Sequence, residues 1–265
     1  MDTLALKYKS LLKLLNETRG AVIAFSGGVD STLLLHAAKE ALGERAVAAS
    51  LATPYVPKWE QGEARKFAKQ MGVKHAVLEM DFPEELRMNP PDHCYTCKKI
   101  LFNKLLGVSQ EHGFDHVLEG TNIDDLSDYR PGIKALRELG IRSPFVETDL
   151  TKAEIRELSK KFNLPTWNKP SFACLLSRMP ADVKVTDGAL RQVEQAEVFL
   201  MKIGFPAVRV RHHGEIARIE VPADRLQDFI NANDIHNINH KLKEFGYKHV
   251  SLDLGGYQMG SLNMK

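Results

Sequence analysis

The segment AVIAFSGGVDSTLLLHAAKEAL (residues 21–42) joins an apolar run to a helical pattern through a turn of small and polar residues. The run 21–25 is typical of a buried strand, and the apolar positions of 32–42 recur with a helical period that ends at Gly43. Because the strand enters the helix directly, the helix is expected to pack on the sheet that contains this strand. The segment therefore limits the chain to folds in which helices cover a β-sheet.

The same alternation of apolar runs and helical patterns continues to about residue 165. Further strands are predicted at 46–52, 74–81, 115–120 and 141–145, and further helices at 59–72, 98–113 and 151–162. Thr151 is the expected N-cap of the last of these helices, with Glu154 at the capping-box position. This order predicts an α/β fold: an open parallel sheet with helices on both faces, whose ligands bind beyond the carboxyl ends of the strands.

The pattern changes after residue 170. A helix is predicted at about 187–203, a two-stranded hairpin within 207–221 and a last strand at 247–254. We therefore predict two domains, an α/β domain at residues 1–170 and a smaller α+β domain at residues 171–265.

The charges of the chain are nearly balanced, with 36 Lys and Arg against 34 Asp and Glu and a net charge of +2. A strongly basic face is typical of nucleic-acid-binding proteins, so we expect no nucleic-acid partner. No apolar run approaches the roughly 20 residues that cross a bilayer. Residues 1–20 alternate Leu and Lys in a helical pattern, unlike a secretory signal. We expect a cytoplasmic protein with no membrane partner.

The turn SGGVDST (residues 26–32) has the features of a phosphate site. Glycines allow an anion to approach the main chain, and a helix N-terminus favours negative charge. The common P-loop adds a lysine that this turn lacks. Asp30 stands there instead and is a candidate ligand of Mg²⁺ bound to pyrophosphate. The candidate ATP-binding residues are Ser26, Gly27, Gly28, Asp30, Ser31 and Thr32.

SGGVDST resembles the PP-loop of the ATP pyrophosphatase superfamily. The resemblance implies a sheet domain of that superfamily and cleavage of ATP between the α- and β-phosphates. Such enzymes adenylylate an oxygen of the substrate, release pyrophosphate and let a nitrogen or sulfur nucleophile displace AMP. The cofactors implied are ATP and Mg²⁺.

The stretch GTNIDDLSDYRPG (residues 120–132) follows the fourth predicted strand and is a candidate second wall of this site. Gly120 would let the backbone approach a phosphate, and Asp124 and Asp125 are candidate Mg²⁺ ligands. Arg130 would face a phosphate or carboxylate. A solvated loop is the alternative interpretation.

Three cysteines, Cys94, Cys97 and Cys174, are candidates for the sulfur chemistry. The first two form a C-x-x-C pair, predicted to stand just before a helix, and each thiol follows a strand–helix junction. An iron–sulfur cluster with one open iron would take three thiolates. Zinc with a fourth ligand, a redox pair that handles persulfide and unrelated buried cysteines are the alternatives.

Four motifs together, SGGVDST, CYTCKK, GTNIDDLSDYRPG and KPSFACLLSR, resemble the LarE family over essentially the whole chain. These are the sulfur transferases of nickel-pincer cofactor biosynthesis. The resemblance implies pyridinium-3,5-biscarboxylic acid mononucleotide as substrate, with its carboxylates adenylylated and converted to thiocarboxylates. It further implies a sulfide or persulfide donor and a homo-oligomer.

LarE proteins are of two types, and the number of cysteines separates them. Some have only the cysteine that matches Cys174, give up its sulfur and retain dehydroalanine. The presence of Cys94 and Cys97 matches the other type, in which three thiols hold a 4Fe–4S cluster that carries an extra sulfide. The resemblance thus implies reusable sulfur delivery, with Cys174 as the nucleophile if no cluster is present.

The second domain supplies further candidates. Arg209 and Arg211 alternate on one predicted strand, share a face and match arginines of the LarE pattern, so they are candidates for binding the substrate phosphate. By the same resemblance, three acidic residues match a metal-binding cluster at subunit contacts: Glu197, Glu220 and Asp228. A solvated role for these acids is the alternative.

Two other functions share these features. A tRNA-thiolating enzyme would have the PP-loop, the C-x-x-C pair and the cluster, but the neutral C-terminal region and the absence of further cysteines disfavour it. A non-catalytic nucleotide-binding regulator would bind ATP without releasing pyrophosphate.

Overall fold

The computed structural model describes residues 3–127, 131–170, 172–231 and 235–257. The chain divides into two compact units. The first contains Met1–Thr53, Lys58–Asp81 and Asp92–Ser171, and the second contains Pro54–Pro57, Phe82–Pro91 and Phe172–Lys265. The division into domains 1–170 and 171–265 stays a prediction, and the second unit also includes two short segments from within residues 1–170.

The first unit is built on a four-stranded parallel sheet. Its strands are β1 (Ala21–Ala24), β2 (Ala46–Ala52), β3 (Lys74–Glu79) and β4 (Val117–Leu118). Its helices are α1 (Thr3–Glu17), α2 (Val29–Leu42), α3 (Lys58–Gln70), α4 (His93–Glu111), α5 (Pro131–Glu138), α6 (Pro144–Glu147) and α7 (Lys152–Lys161). The strand order is β3-β2-β1-β4, and every pair is parallel. The chain therefore reverses its direction across the sheet between β1 and β4, which is where ligands of such folds bind.

Both faces of the sheet are covered by helices because successive residues of a strand point to opposite faces. Ala21 and Ile23 of β1 lie in a core with buried residues of α1, α2, α3 and α7. Val22 lies in a second core with residues of α4 and α5. The predicted α/β class, an open parallel sheet with helices on both faces, is confirmed.

Three sequence predictions about the first unit were wrong. The strand expected at 141–145 is a single bridge between Leu118 and Arg142, because Pro144 opens a short helix at its N1 position. Helix α4 begins at His93, five residues earlier than predicted, since HCYTC lacks the apolar period that marked the rest. Helix α2 begins at Val29, so Asp30, Ser31 and Thr32 belong to its first turn.

The second unit is a small α+β structure. It contains α8 (Asp187–Lys202), β5 (Arg209–His213), β6 (Ile216–Glu220), α9 (Leu226–Ile230), α10 (Ile235–Glu244) and β7 (His249–Leu252). Strands β5 and β6 form the predicted hairpin, and β7 adds to β6 in parallel. Helices α8, α9 and α10 supply apolar residues to one core with the strands. Among the described residues of both units, no helix combines the length and apolarity that crossing a membrane requires.

Candidate functional site

The SGG turn lies at the carboxyl end of β1 and leads directly into α2. Gly27 has φ +70°, and a Cβ atom there would lie 3.1 Å from the Cα of Ala64, so both its conformation and its surroundings require glycine. The hydroxyls of Ser26 and Ser31 lie 3.1 Å apart, and Ser26 Oγ accepts a hydrogen bond from the Gly28 amide at 3.3 Å. Hydrogen bonds of the two serine side chains thus stabilise the turn at its start and at its end.

The start of α2 differs from the starts of α7 and α8 in having no side-chain cap. Gly28 occupies its N-cap and has no side chain to accept from the first-turn amides. By contrast, Thr151 caps α7 and Thr186 caps α8 through their hydroxyls. A helix start without a side-chain cap can give its amides to a phosphate.

Asp30 is the charged residue of this first turn. Lys152, at the start of α7, donates from Nζ to Asp30 Oδ2, and the two side chains are 30% and 25% exposed. Asn122 donates from Nδ2 to Asp30 Oδ1 at 3.4 Å. The carboxylate is thus held between two elements that follow it by about a hundred residues.

The segment after β4 packs against the start of α2. A Cβ atom on Gly120 would lie 3.0 Å from the Asp30 Cβ and 3.2 Å from the Ser31 amide nitrogen, so the two main chains can approach this closely only at a glycine. The structure therefore brings together two segments that the sequence analysis assigned to the same edge of the sheet.

Buried Glu119 stabilises the segment around Gly120 through hydrogen bonds of its carboxylate. Its carboxylate accepts from the Thr121 amide at 3.1 Å and from the Thr121 hydroxyl at 2.7 Å, and it also accepts from the Ser143 hydroxyl. The turn around Gly120 is thereby tied to the segment before α6.

The two candidate magnesium ligands of the wall lie in a 3₁₀ turn, Ile123–Ser127. Asp124 Oδ2 accepts from the Lys152 amide at 2.7 Å, and Asp125 Oδ2 accepts from the Asn122 amide at 3.1 Å. Asp30 and Asp124 therefore both contact Lys152, one through its ammonium group and the other through its main chain. Arg130, the predicted partner of a phosphate or carboxylate, lies outside the described residues.

Sequence reasoning missed two lysines of this site. Lys152 contacts Asp30, and Lys169 donates to the Gly27 carbonyl at 3.1 Å and to Glu63 at 2.7 Å. Lys169 lies within the KPSFACLLSR motif, in which the sequence analysis considered Cys174 and not the lysine. Lys152 offered no local signal, since its importance depends on contacts with residues far away in the chain.

Cys94 and Cys97 lie in the first turns of α4, within the helix rather than before it. Cys94 is exposed and Cys97 is half-buried. Residues three apart on a helix share a face, so both thiols can serve one ligand. Within the described ranges, no group of three or more His, Cys, Asp or Glu side chains is arranged to hold a metal ion.

Cys174, in the second unit, occupies the N-cap of a 3₁₀ turn, Leu175–Arg178. Its carbonyl accepts from the Ser177 hydroxyl at 2.8 Å and from Arg178 Nη1 at 3.1 Å. The Arg178 side chain is only 1% exposed and forms a two-pronged ion pair with Glu197 at 3.0 and 3.1 Å. The main chain at Cys174 is therefore held by a buried charged group.

The predicted phosphate-binding arginines are both buried on β5. Arg211 pairs with Glu220 at 2.7 Å and donates to the Ser177 carbonyl at 2.7 Å. Arg209 stacks over the rings of Phe172 and Tyr257, and burial lowers the pKa of its guanidinium, with the nearby Arg178 charge adding to the effect.

The three acidic residues predicted to bind a metal each contact an arginine. Glu197 pairs with Arg178, and its Oε1 also accepts from the Val210 amide at 2.9 Å. Glu220 pairs with Arg211 and Arg218, and exposed Asp228 pairs with Arg225. Their role at subunit contacts stays a prediction.

Sequence comparisons identify several relatives of the chain. A family model described as queuosine biosynthesis protein QueC matches residues 20–90, which include the SGGVDST turn. The chain is 37% identical over 266 residues to the pyridinium-3,5-bisthiocarboxylic acid mononucleotide synthase of Lactiplantibacillus plantarum, covering 99% of this chain and 96% of that protein. It is 39% identical over 260 residues to the uncharacterized protein slr1717 of Synechocystis, covering 97% of both. One chain of the glutamine-hydrolyzing GMP synthase of Thermoplasma volcanium is 29% identical over 171 residues, 58% of this chain and 55% of that protein.

Proposed function

The chain belongs to the LarE family, and from this premise we propose that it is an ATP-dependent sulfurtransferase acting on a pyridinium carboxylate mononucleotide. The substrate proposed is pyridinium-3,5-biscarboxylic acid mononucleotide, and the product carries thiocarboxylates. The name of the Lactiplantibacillus plantarum relative, which matches nearly the entire chain, supports this substrate over tRNA. The observation that carries the proposal is the lysine-free glycine turn at the reversal of the sheet, with Asp30 beside it.

The first step proposed is adenylylation of a substrate carboxylate. A carboxylate oxygen attacks the α-phosphorus of ATP, an O–P bond forms, and the bond to the β-phosphate breaks to release pyrophosphate. The oxygen of a carboxylate leaves poorly, and its attachment to AMP makes it a good leaving group. The first-turn amides of α2 would face the phosphate charge, and Gly120 lets the neighbouring main chain lie close to this turn.

Magnesium fits the carboxylates at this end of the sheet. Mg²⁺ prefers carboxylate oxygens and substrate phosphates. Asp30 and Asp124, which contact the same lysine, are the residues that would hold it, with Asp125 in the same turn. When bound, the ion would neutralise charge on the departing pyrophosphate.

The second step proposed is transfer of sulfur to the acyl carbon. Cys94, Cys97 and Cys174 would hold a 4Fe–4S cluster, since thiolates are its usual ligands and the first two share a helix face. When bound, the cluster would supply an open iron that can carry sulfide, taken directly from a sulfide donor or from a persulfide donor whose terminal sulfur a thiol reductant reduces by two electrons. The displacement of AMP then yields the thiocarboxylate.

A second route uses the Cys174 side chain itself. Its sulfur attacks the acyl carbon, AMP leaves, and a thioester forms. Loss of the Cys174 Hα with breakage of the Cβ–Sγ bond then releases the thiocarboxylate and retains dehydroalanine. The tight fixation of the Cys174 carbonyl by Ser177 and Arg178 is compatible with both routes.

Substitution of the cysteines separates the two steps. We expect Cys174→Ala to keep pyrophosphate release with the dicarboxylate mononucleotide and to lose thiocarboxylate formation, because only the second step needs the thiol. The Cys94→Ala/Cys97→Ala double variant should also lose thiocarboxylate if a cluster delivers sulfur, and should keep a single turnover if Cys174 is sacrificed. Pyrophosphate release and product mass spectrometry provide the readouts.

Four outcomes would contradict parts of the proposal. Absence of pyrophosphate release by the wild-type protein with this substrate would refute adenylylation. Multiple turnovers by anaerobically purified, iron-free protein would refute the cluster, whereas loss of one H₂S from Cys174 after turnover would establish sacrifice. Salt-dependent binding of total tRNA on filters, together with tRNA-dependent pyrophosphate release, would favour the tRNA-thiolating alternative.

A further inference from the structure

The 3₁₀ turn that follows Cys174 is held by parts of the second unit that lie far away in the sequence. The Leu175 amide donates to the Tyr55 carbonyl at 2.8 Å, and Arg211 donates to the Ser177 carbonyl at 2.7 Å. A 3₁₀ turn this short has few hydrogen bonds of its own, so its backbone groups need partners from outside. The position of the main chain at Cys174 therefore depends on distant residues.

Asn89 makes three further contacts of this kind from the segment Phe82–Pro91. Its Nδ2 donates to the carbonyls of Leu176, Met179 and Pro180 at 3.3, 3.1 and 3.0 Å. The amide group has two hydrogens, which the three carbonyls share. Because three acceptors surround one end of this amide and Asn89 is only 2% exposed, a hydrogen-bond donor is required there.

The main chain of Asn89 is itself fixed. It has a φ of +46°, a left-handed conformation that asparagine adopts more readily than most residues do. Its amide donates to the Leu86 carbonyl at 3.0 Å, and its carbonyl accepts from the Asp182 amide at 3.1 Å. The side-chain amide thus starts from a fixed backbone, which allows it to fix the turn that it contacts.

We propose that Asn89 is a positioning residue that fixes the turn after Cys174 for the sulfur-transfer step, an inference that rests on the proposed function. Asn89 acts through the main chain of this turn and takes no part in bond making. Both proposed routes need the Cys174 sulfur at a defined place, and a misplacement of about 1 Å can slow such a step about 100-fold. Adenylylation uses the glycine turn of the first unit and should not depend on Asn89.

Two substitutions separate the donor from the shape and from the backbone. Asn89→Asp keeps the shape of the side chain, but an ionised carboxylate has no hydrogen to donate and would face three carbonyl oxygens. Asn89→Gly keeps the left-handed conformation and removes the side chain. Asn163→Gly is the matched control, because Asn163 has a similar φ of +54° and an exposed side chain.

The first test measures both reaction steps at a temperature at which every variant is folded. Both Asn89 variants should lower the rate of thiocarboxylate formation by roughly 10- to 100-fold and keep pyrophosphate release within about threefold of the wild type. Asn163→Gly should leave both rates unchanged. Equal losses of the two steps would indicate a general structural role and overturn the inference, as would thiocarboxylate formation at the wild-type rate by Asn89→Asp.

A second test needs no substrate. Iron-free protein is alkylated with iodoacetamide, and mass spectrometry of its peptides gives the labelling rate of each cysteine. Both Asn89 variants should label half-buried Cys174 roughly 5- to 30-fold faster, the factor that loss of one or two hydrogen bonds gives to local opening. Cys94, which is exposed in the wild type, should change by less than about twofold. Labelling of Cys174 that is no faster than in the wild type would overturn the inference.

A third measurement uses the wild-type protein and so does not depend on a variant that folds. In NMR spectra of isotope-labelled protein, the side-chain amide protons of Asn89 should exchange with water at least about tenfold more slowly than those of Asn163. Equal exchange rates would overturn the inference. A wild-type protein that releases no pyrophosphate with the dicarboxylate mononucleotide, yet shows slow exchange at Asn89, would refute the proposed function and leave the positioning of this turn by Asn89 intact.

Discussion

At the scale of single residues, the glycines of the site have two separable reasons to be glycine. Gly27 combines a left-handed φ of +70° with a backbone neighbour, Ala64 Cα, at 3.1 Å from where a Cβ would be. Gly140 has a similar φ of +66° and nothing within 4 Å. A side chain at Gly140 would therefore incur conformational strain alone, whereas one at Gly27 would incur both strain and a steric clash.

We expect Gly27→Ala to destabilise the protein by about 2–3 kcal/mol and Gly140→Ala by about 1–2 kcal/mol, since both incur the left-handed penalty and only the first displaces a main chain. Urea denaturation measures both losses. Gly27→Ala should also weaken pyrophosphate binding, and Gly140→Ala should not. Equal effects of the two substitutions on stability and binding would show that the contact with α3 is unimportant.

At the scale of elements, the start of α2 differs from the starts of α7 and α8 in its cap. Helices α7 and α8 begin with a threonine whose hydroxyl accepts an amide of the first turn. Helix α2 begins with Gly28 and cannot be capped in this way. The cap of α7 has an additional consequence, because the next residue is Lys152, which contacts Asp30.

We expect Thr151→Ala and Thr186→Ala each to lower the free energy of unfolding by about 1 kcal/mol through loss of an N-cap. Only Thr151→Ala should also weaken pyrophosphate binding, because the first turn of α7, whose Lys152 contacts Asp30, becomes less ordered. Urea denaturation and equilibrium dialysis provide the two readouts. The role of the α7 cap in binding would be disproved by Thr151→Ala protein that is less stable and binds pyrophosphate with wild-type affinity.

At the scale of the whole molecule, both units contain histidines whose neutral form is favoured in the folded state. Burial lowers the pKa of His36, against the opposing charge of Glu40. Burial, and then the Arg65 charge, lowers the pKa of His75. In the second unit, burial lowers the pKa values of His212 and His213. The unfolded chain, with histidine pKa values of about 6.5, therefore binds protons at a higher pH than the folded chain does.

We expect the stability from these histidines to be complete above about pH 6.5 and to be lost as the pH falls from there through the lowered folded-state pKa values. Urea midpoints should accordingly decrease from pH 7.5 to pH 5.5, a range above the titration of ordinary carboxyl groups. His75→Gln should reduce this decrease, whereas His236→Gln, at an exposed position, should leave it unchanged. A wild-type urea midpoint that rises towards pH 5.5 would contradict the conclusion that folding lowers the pKa values of these histidines.

The elements that sequence reasoning placed well are those with a continuous local pattern. The strand predicted at 46–52 coincides with β2, because its apolar run is buried along most of its length. The hairpin within 207–221 and the capping box at Thr151 are also confirmed. The start of α4 was missed because the residues around Cys94 and Cys97 have no apolar period, and the α-helix α5 follows a polar stretch that offered no pattern.

The sequence by itself determined the strand–glycine turn–helix unit, the succession of β1 to β4 with their helices along the chain, and the C-x-x-C spacing of Cys94 and Cys97, because each depends on residues close together in the chain. Only the tertiary structure decided that Lys152 contacts Asp30, that Gly120 packs against the start of α2 and that Arg178 holds Cys174 through a buried pair with Glu197. Contacts between distant residues depend on the path of the folded chain, and no local period or motif records them.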